Sequence, residues 1–355
     1  MHADLAGKVM TVLGPVEAGE LGVTLPHEHV IKDSADRFPP PAEAGERAAF
    51  EQPLNLENLH RVTYGRFGAV RDNTRLVDED CAIDELWRFR DAGGGAVVDQ
   101  TSAGMNGDPA ALARISAAAG VHIIAGCGYY LGRFHPPRVA ALSEKDLTAE
   151  LVRDLTEGIG GTGVRAGVIG EIGCSWPWHP GEEKVVRAAV AAQRESGVGL
   201  SVHPSPNPGS PARILRLLES LHAPLERIVI CHMDRVGYPL PTRLDLLRSG
   251  LFIEYDTFGY HVHPILAATR EGALPSMLND VARVQQIVEL VELGYERQIL
   301  VSHDTAFKHA LTKWGGQGYA HLPANVTPYF ETYGLTGEHI EQLMVHNPRR
   351  LLEIS

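Results

Sequence analysis

The feature that most constrains this 355-residue chain is a unit that repeats along it: a helical stretch, a glycine-rich turn and a short apolar run of β-branched residues. Eight apolar runs are predicted to be strands, at residues 21–25, 96–100, 122–126, 166–170, 199–202, 228–231, 251–255 and 299–302. Helices are predicted at residues 78–92, 109–119, 147–158, 182–196, 211–221, 242–249, 282–293 and 338–352. Eight β/α units with strands that are apolar on both faces predict a parallel (β/α)8 barrel of the α/β class.

Three connections are much longer than the others, and each of them follows a strand. Residues 31–76 follow the first strand, residues 257–281 the seventh and residues 305–337 the eighth. Barrel enzymes build their active sites on the strand-to-helix side, so these connections are expected to cover the site. No change of composition marks a second domain. Residues 1–355 are therefore predicted to form one domain, in which residues 1–20 make a short β-hairpin that closes the bottom of the barrel.

Composition and charge narrow the class of protein. Hydrophobic residues make up 44% of the chain and charged residues 21%, as in a soluble protein with a large core. The net charge of −12 disfavours a nucleic-acid partner, because binding a phosphate backbone needs clustered cations. No secretory signal pattern and no apolar run near the ~20 residues of a membrane span is visible. We expect a cytoplasmic protein with a small-molecule partner, no nucleic acid and no membrane.

Residue types that bind metals stand at the ends of five predicted strands. The histidines of a His-x-His pair end the first strand, a glutamate ends the fourth, histidines end the fifth and sixth, and an aspartate follows the eighth: His27, His29, Glu171, His203, His232 and Asp304. A His-x-His pair alone is weak, and His261 and His263 have the same spacing. In a barrel, however, the carboxyl ends of all strands converge on one face. The sequence therefore predicts a metal site there, and the recurrence at strand ends selects His27 and His29.

The mixture of ligand types indicates the chemistry of the site. Neutral imidazoles and carboxylates bind borderline divalent ions such as Zn²⁺. One carboxylate can bridge two ions at the separation that is typical of two-metal hydrolases, and Glu171 is the predicted bridge. Asp304 is predicted to bind one ion and also to act as the general base. Two divalent ions are expected, with zinc as the predicted metal and Mn²⁺ or Co²⁺ as alternatives.

The order of these ligands resembles that of the amidohydrolase superfamily. The stretches GEIGCSWP at 170–177, IEYDTFG at 253–259 and GGQGY at 315–319 resemble the phosphotriesterase-related proteins, a subgroup that has also been labelled resiniferatoxin-binding. The similarity covers essentially the whole chain. It implies that a more buried ion is held by His27, His29, Glu171 and Asp304, and that a more exposed ion is held by Glu171, His203 and His232.

Two positions depart from the true phosphotriesterases. Their bridge is a carboxylated lysine, where this chain has Glu171, and their relay histidine is here Thr257, directly after Asp256. The resemblance therefore favours a related chemistry, in which a hydroxide held by both ions attacks a small amide or ester. N-acyl amino acids and N-acetyltaurine-like amides are the implied substrates.

Several alternatives stay open from the sequence. A phosphotriesterase or lactonase activity uses the same ligands. A TatD-like deoxyribonuclease has a similar barrel, although the acidic charge of this chain disfavours it. A non-enzymatic ligand-binding barrel would not need the complete set of six ligands. A homodimer is compatible with all of these.

Substrate contacts are predicted on the connections that follow the third and sixth strands. Tyr129, Tyr130 and Arg133 follow the third strand, and Arg235 lies three residues beyond His232. A guanidinium binds carboxylate or sulfonate oxygens through its planar fork of donors, so Arg235 is predicted to hold an anionic end of the substrate. The alternative is that Arg235 pairs with Asp234 or Asp256 and supports the rim of the barrel.

Overall fold

Eight parallel strands form one sheet, and their order in space is their order along the chain. The computed structural model describes residues 5–63, 67–260 and 278–355. Its barrel strands are Val23–Glu28, Gly94–Asp99, His122–Cys127, Val168–Cys174, Gly199–Pro204, Ile228–Ile230, Phe252–Tyr255 and Ile299–Val301. Between the last strand and the first, the Asp304 amide donates to the His27 carbonyl at 3.1 Å, and the Ser302 hydroxyl lies 2.8 Å from the same oxygen. The predicted (β/α)8 barrel is confirmed.

The helices that follow the first seven strands surround this sheet. They are Glu79–Asp91, Pro109–Ala119, Glu144–Thr156, Pro180–Ser196, Ser210–Ser220, Leu240–Arg248 and Asp280–Glu292. Several begin at side chains that satisfy free amides of the first turn. Asp78 accepts from the Cys81 amide, Asp108 accepts from the Ala111 amide, and Ser143 forms a capping box. The capping box starts its helix three residues earlier than the apolar pattern predicts.

The predicted helix at 338–352 is not one continuous α-helix. It consists of an α-helix at Gly337–Glu341, a π-helical turn at Gln342–His346 and a second α-helix at Asn347–Leu352. Pro348 lies in the first turn of the last segment and has no amide proton to donate backwards. An uninterrupted α-helix would need that hydrogen bond, so the chain changes its winding just before the proline.

Short elements organise the long connections. Lys32–Asp33 pairs antiparallel with Arg75–Leu76, which brings the two ends of the first connection together. The helix Ala44–Phe50 lies between these two strands along the chain. The eighth connection contains a π-helical turn at Leu322–Val326, followed by the helix Thr327–Thr332. In the seventh, residues 261–277 lie outside the described residues, and with them His261 and His263.

The chain before the barrel forms a hairpin in which Lys8–Thr11 pairs antiparallel with Gly14–Glu17. The turn of the hairpin contacts the barrel through the Val12 amide, which donates to the Ile123 carbonyl at 2.8 Å. In the three described ranges, no helix has the length and apolar character needed to cross a membrane.

Candidate metal centre

A bulge in the fourth strand places Glu171 in the site. The sequence predicts that this strand ends at residue 170, but it continues to Cys174, so Glu171 lies inside it. Ile169 pairs with Leu200 and Ile172 with Val202, which leaves one extra residue on the fourth strand. A bulge of this kind turns a side chain away from its regular direction. Gly170 precedes Glu171 with a φ of +144°, and a Cβ there would lie 2.7 Å from the Ser201 side chain, so only glycine fits.

Two of the predicted ligands have strained backbones. His232 has a φ of +57° and Asp304 a φ of +50°, in the left-handed region that residues other than glycine rarely adopt. His232 lies two residues beyond the sixth strand and Asp304 three residues beyond the eighth, where the chain turns into its connection. Strain of this kind persists where the surrounding structure fixes the residue, and it is common at active sites. The backbone therefore marks these two positions independently of their side chains.

Three of the predicted ligands surround one point at the base of the site. The Nε2 atom of His29 lies 3.3 Å from Asp304 Oδ1 and 3.8 Å from Glu171 Oε1. The Nε2 atom of His27 lies 3.8 Å from the same Asp304 oxygen. Ligand atoms of His27, His29 and Asp304 all lie within 4.8 Å of one another, close enough to share one ion.

A second group of nitrogens faces the other oxygen of Glu171. Glu171 Oε2 lies 2.6 Å from His203 Nδ1, 3.4 Å from His232 Nε2 and 3.6 Å from His27 Nε2. His203 Nδ1 and His232 Nε2 are 2.7 Å apart. The carboxylate of Glu171 therefore lies between the two groups of ligands. All six predicted residues are brought together.

The remaining imidazole nitrogens point away from this centre and bond to the surrounding wall. His27 Nδ1 lies 3.2 Å from Glu254, His232 Nδ1 2.8 Å from Asp256, and His29 Nδ1 2.8 Å from Thr101. An outer hydrogen bond fixes the ring orientation and the tautomer of a ligating histidine. Sequence reasoning missed Glu254 and Thr101 as functional residues. The available signal was a carboxylate within the apolar seventh strand.

The donor set fits divalent cations. His27 Nε2 is buried and has no hydrogen-bond partner among the described residues. Because His27 Nδ1 faces carboxylates, a neutral His27 ring carries its proton on that nitrogen, which leaves the Nε2 lone pair free to bind a cation. His203 Nδ1 and His232 Nε2 are 2.7 Å apart, and either a proton or a cation between them would account for this approach. Buried polar atoms of this kind are rarely left without a partner, and a cation would satisfy them together.

Electrostatics favour the protonation states that metal ligands need. Although burial opposes ionisation, His203, His232 and His27 hold the pKa of Glu171 well below its usual range. Burial, together with His203 and Arg235, holds the pKa of His232 well below its usual value. The carboxylate is therefore charged and the His232 ring neutral near pH 7, as ligation requires.

The deeper wall of the site is rich in carboxylates. Burial raises the pKa of Asp256 well above its usual value, and the neighbouring Glu254 raises it further. Burial lowers the pKa of His27, but Cys231 and Glu254 raise it by more, so it lies well above the usual value. His27 therefore lies against a buried cluster of acidic groups that favours a positive charge at this place. A proton or a nearby cation can supply that charge.

The predicted substrate contacts fall into two groups. The Tyr130 hydroxyl and Arg235 Nη1 each lie 3.3 Å from His203 Nε2, on the outer side of the site. Tyr129 does not reach the site, because its hydroxyl donates to Glu150 on an outer helix. Arg133 is exposed, and its guanidinium lies 5.1 Å from the centre of the Phe134 ring.

Lys32 is a buried cation near the site that sequence reasoning missed. Its ammonium donates to the Ala306 carbonyl at 3.1 Å and lies 4.8 Å from the centre of the Phe307 ring. Burial lowers its pKa, whereas Asp304 and Glu171 raise it. Only its position three residues beyond His29 could have drawn attention to it.

The sequence relationships agree with this geometry. A sequence model of the Phosphotriesterase family matches residues 7–352. The chain belongs to the phosphotriesterase family. The resemblance seen in the sequence motifs is thus confirmed, and the chain is a hydrolase. This assignment decides against the deoxyribonuclease alternative.

Individual members of the family are similar over their whole length. The N-acetyltaurine hydrolase of Rattus norvegicus is 37% identical, and that of Homo sapiens 36%, over 99% of each chain in both cases. The crystal structure of a resiniferatoxin-binding protein from Rhodobacter sphaeroides has a TM-score of 0.90 and 36% identity, over 100% of this chain and 99% of that one. A phosphotriesterase homology protein from Escherichia coli, at 24% identity and a TM-score of 0.76, shares the fold over 94% of this chain and 99% of its own.

Proposed function

We propose that this chain is a binuclear metal-dependent hydrolase of small amides or esters, with N-acyl amino acids and N-acetyltaurine-like compounds as its substrate class. The observation that carries the proposal is the position of Glu171 between two groups of imidazole nitrogens. The relatives named N-acetyltaurine hydrolase support the substrate class.

Two divalent ions fit the two groups of ligands. His27, His29 and Asp304 would hold the inner ion, His203 and His232 the outer one, and Glu171 would bind both. Imidazole and carboxylate ligands suit zinc, with Mn²⁺ or Co²⁺ as alternatives. When bound, the ions supply Lewis acidity that polarises the scissile carbonyl and activates a water molecule near neutral pH.

Asp304 is the proposed proton acceptor. Its side chain is 20% exposed, whereas those of the predicted histidine ligands are almost fully buried, so its carboxylate borders the space that a substrate and water can enter. The Tyr260 hydroxyl donates to the Asp304 backbone carbonyl at 3.1 Å, which fixes the residue without occupying its side chain. Asp304 can therefore take a proton from the attacking water and deliver it to the leaving nitrogen or oxygen.

Arg235 is proposed to bind an anionic group at the far end of the substrate. It is half-buried beside His203, and neither nearby carboxylate pairs with it. Asp234 bonds to Arg283, and Asp256 bonds to His232. The alternative role for Arg235 as a partner of these acids is thus not supported. Tyr130 lies on the same outer nitrogen of His203 and is the proposed second contact, whereas the position of Tyr129 does not support such a role.

The main alternative is a phosphotriesterase or lactonase. The same two groups of ligands could serve either reaction. However, the position of the relay histidine is taken by Thr257, whose hydroxyl donates to Asp234 at 2.7 Å and has no imidazole function. A non-enzymatic barrel would leave unexplained why six ligand side chains converge. We propose that residues 1–355 act as one cytoplasmic domain, and a homodimer is an assembly compatible with this function.

Metal analysis followed by a substrate screen tests this function. We expect two divalent ions per purified chain and hydrolysis of anionic N-acyl compounds in preference to phosphotriesters and lactones. A chelator should abolish the activity, and zinc should restore it. At most one ion per chain in metal-replete buffer would contradict the binuclear centre. Preferential hydrolysis of phosphotriesters or lactones would favour the alternative.

A further inference from the structure

Arg283 is a fully buried arginine that joins three parts of the barrel rim. Its Nε donates to Asp234 at 2.7 Å, its Nη1 to Asp280 at 2.8 Å and its Nη2 to the Thr257 hydroxyl at 2.8 Å. Asp280 in turn lies 2.7 Å from His321 of the eighth connection. A buried guanidinium with three short hydrogen bonds is a rigid element, because moving it would leave its partners unpaired.

The partner of Arg283 on the sixth connection is Asp234, which directly precedes Arg235. Asp234 is fully buried, and one of its oxygens accepts from Arg283, from the Thr257 amide at 3.0 Å and from the Thr257 hydroxyl at 2.7 Å. Without Arg283, this buried carboxylate would lack its cation. The nearest alternative cation along the chain is Arg235.

Arg235 itself points to the other side of the same connection. Its Nη1 lies 3.3 Å from His203 Nε2, and its Nη2 donates to the Pro204 carbonyl at 2.8 Å. Neither contact neutralises the guanidinium, which keeps its charge available at the mouth of the site. The two arginines therefore have different roles. Arg283 pairs with Asp234, and Arg235 faces the space proposed for the substrate.

We propose that Arg283 is a positioning residue that keeps Arg235 available for an anionic substrate, because it occupies the carboxylate that would otherwise capture Arg235. This rests on the proposed function. The role differs from that of a purely structural ion pair. Loss of Arg283 should lower the preference for anionic over neutral amides, and removing the charge of Asp234 as well should restore that preference.

The experiment compares kcat/KM for two amides of similar size, one with a distal sulfonate and one with a neutral amide in its place. We expect Arg283→Met to lower the anionic-to-neutral ratio at least tenfold, mainly through KM for the anionic amide. Metal content and kcat for the neutral amide should change little. The double variant Arg283→Met/Asp234→Asn should recover most of the ratio, since the uncharged asparagine side chain could not capture Arg235.

Arg243→Met is the matched control. Arg243 is also buried and pairs with Glu289 at 3.3 Å, but its other partner is the Tyr255 hydroxyl and not Asp234. The Arg243→Met variant should have a lower free energy of unfolding but an unchanged anionic-to-neutral ratio of kcat/KM. If Arg283→Met does not fold, Arg283→Lys and Thr257→Val decide the question, because both weaken the contact with Asp234 and should lower the ratio in a graded way.

The outcomes separate the two proposals. Equal losses on both amides, or no recovery in the double variant, would overturn the role of Arg283 while leaving the hydrolase function intact. An unchanged ratio in Arg283→Lys and Thr257→Val would do the same. If the wild-type chain hydrolyses neither amide, the proposed function itself fails.

Discussion

Glu28 and His303 are joined by a buried hydrogen bond of 2.8 Å between the carboxylate and Nδ1, which ties the first barrel strand to the segment just after the eighth. The same carboxylate accepts from the His303 and Thr305 amides, each at 3.0 Å, and lies 2.8 Å from the Ser302 hydroxyl. Glu28 therefore holds the backbone on both sides of Asp304. The residue between the two histidines of the His-x-His pair thus fixes the backbone beside a predicted ligand more than 270 positions away along the chain.

Glu28→Gln should weaken the hydrogen bonds that hold the backbone around Asp304. The amide nitrogen of glutamine cannot accept from backbone amides, so at least one donor next to Asp304 loses its partner. We expect the free energy of unfolding to fall by about 1.5–3 kcal/mol, the usual range for a hydrogen bond to a charged group. The affinity for the inner ion should fall as well. Urea unfolding and metal titration measure the two effects.

Glu182→Gln is a matched control for this variant. Glu182 is fully buried and accepts from the backbone amides of Gly132, Ser175 and His179, on the connections that follow the third and fourth strands. The Glu182→Gln variant should lose about as much free energy of unfolding as Glu28→Gln, while retaining the affinity for the inner ion. If both variants lose metal affinity equally, Glu28 has no specific link to Asp304.

The convergence of the ligands could be predicted because it follows from the repeat. Once eight strands close into a barrel, side chains at the carboxyl ends of the strands meet, whatever the details of packing. The position of Glu171 was predicted less well. The apolar pattern ends the fourth strand before it, and a bulge cannot be read from apolar periodicity. Similarly, the left-handed backbone of Asp304 could not be predicted from its residue type, because aspartate adopts this region more often than most residues but still rarely.

Glu171→Ala should lower the metal content of both sites together. Its two oxygens face different groups of ligands, so its loss removes one ligand from each. We expect fewer than one ion per chain, against the two that are proposed for the wild type, as measured by elemental analysis after dialysis. His203→Ala is the comparison, because it should empty the outer site alone. Retention of one full ion by Glu171→Ala would show that Glu171 binds only one of the two.

Asp304→Asn should reduce kcat far more than it raises KM. An asparagine keeps the shape and one ligand oxygen but cannot accept the proton of the attacking water. General-base catalysis contributes typically 10²–10⁴-fold, so a loss of about that size is expected. Steady-state kinetics on protein of verified metal content measure it. A rise of KM alone would instead make Asp304 a residue that positions the substrate.

His309 should make stability depend on pH in mildly acidic solution. Burial lowers its pKa to about 4, whereas an unfolded histidine titrates near about 6.5. The unfolded chain therefore takes up a proton first as the pH falls. The contribution of His309 is fully present above about pH 6.5 and is lost as the pH falls toward about 4.

The measurement is urea unfolding of the wild type and of His309→Gln at about pH 7.5 and about pH 5. Between these values the wild type should lose about 2 kcal/mol more than the variant, from the two pKa values. Other groups that titrate in this range contribute equally to both proteins, so their contributions cancel when the two losses of unfolding free energy are subtracted. Equal losses in both proteins would mean that His309 is protonated in the folded state.

Contacts of individual side chains could be predicted only in part. Tyr129 and Tyr130 are neighbours on the same connection, yet only Tyr130 faces His203, while Tyr129 bonds to Glu150. Adjacent residues point in different directions, and which of them faces the site depends on the path of the loop. The pairing of Asp234 with Arg283 could not be predicted either, because Arg283 lies 49 positions further along the chain.

Arg235→Met should distinguish a substrate clamp from a support of the rim. Methionine keeps much of the apolar stem and removes the charge, so packing is largely preserved. If Arg235 holds the anionic end of the substrate, KM for an N-acyl taurine should rise roughly 10- to 100-fold, the loss expected for a charge-assisted hydrogen bond of ~1.5–3 kcal/mol. KM for a matched neutral amide should stay nearly unchanged.

Arg133→Met is the control, because Arg133 is exposed on the connection after the third strand and its guanidinium stacks on Phe134. Screening by salt should reduce its small effect, whereas the half-buried Arg235 should keep its effect at high ionic strength. Arg235→Lys should recover only part of the affinity, since an ammonium lacks the planar fork. Equal losses on the charged and the neutral amide, together with a lower Tm, would assign Arg235 to the structure of the rim. An anionic substrate would then need another cation. Lys32, which is buried near Asp304, is a candidate for that role.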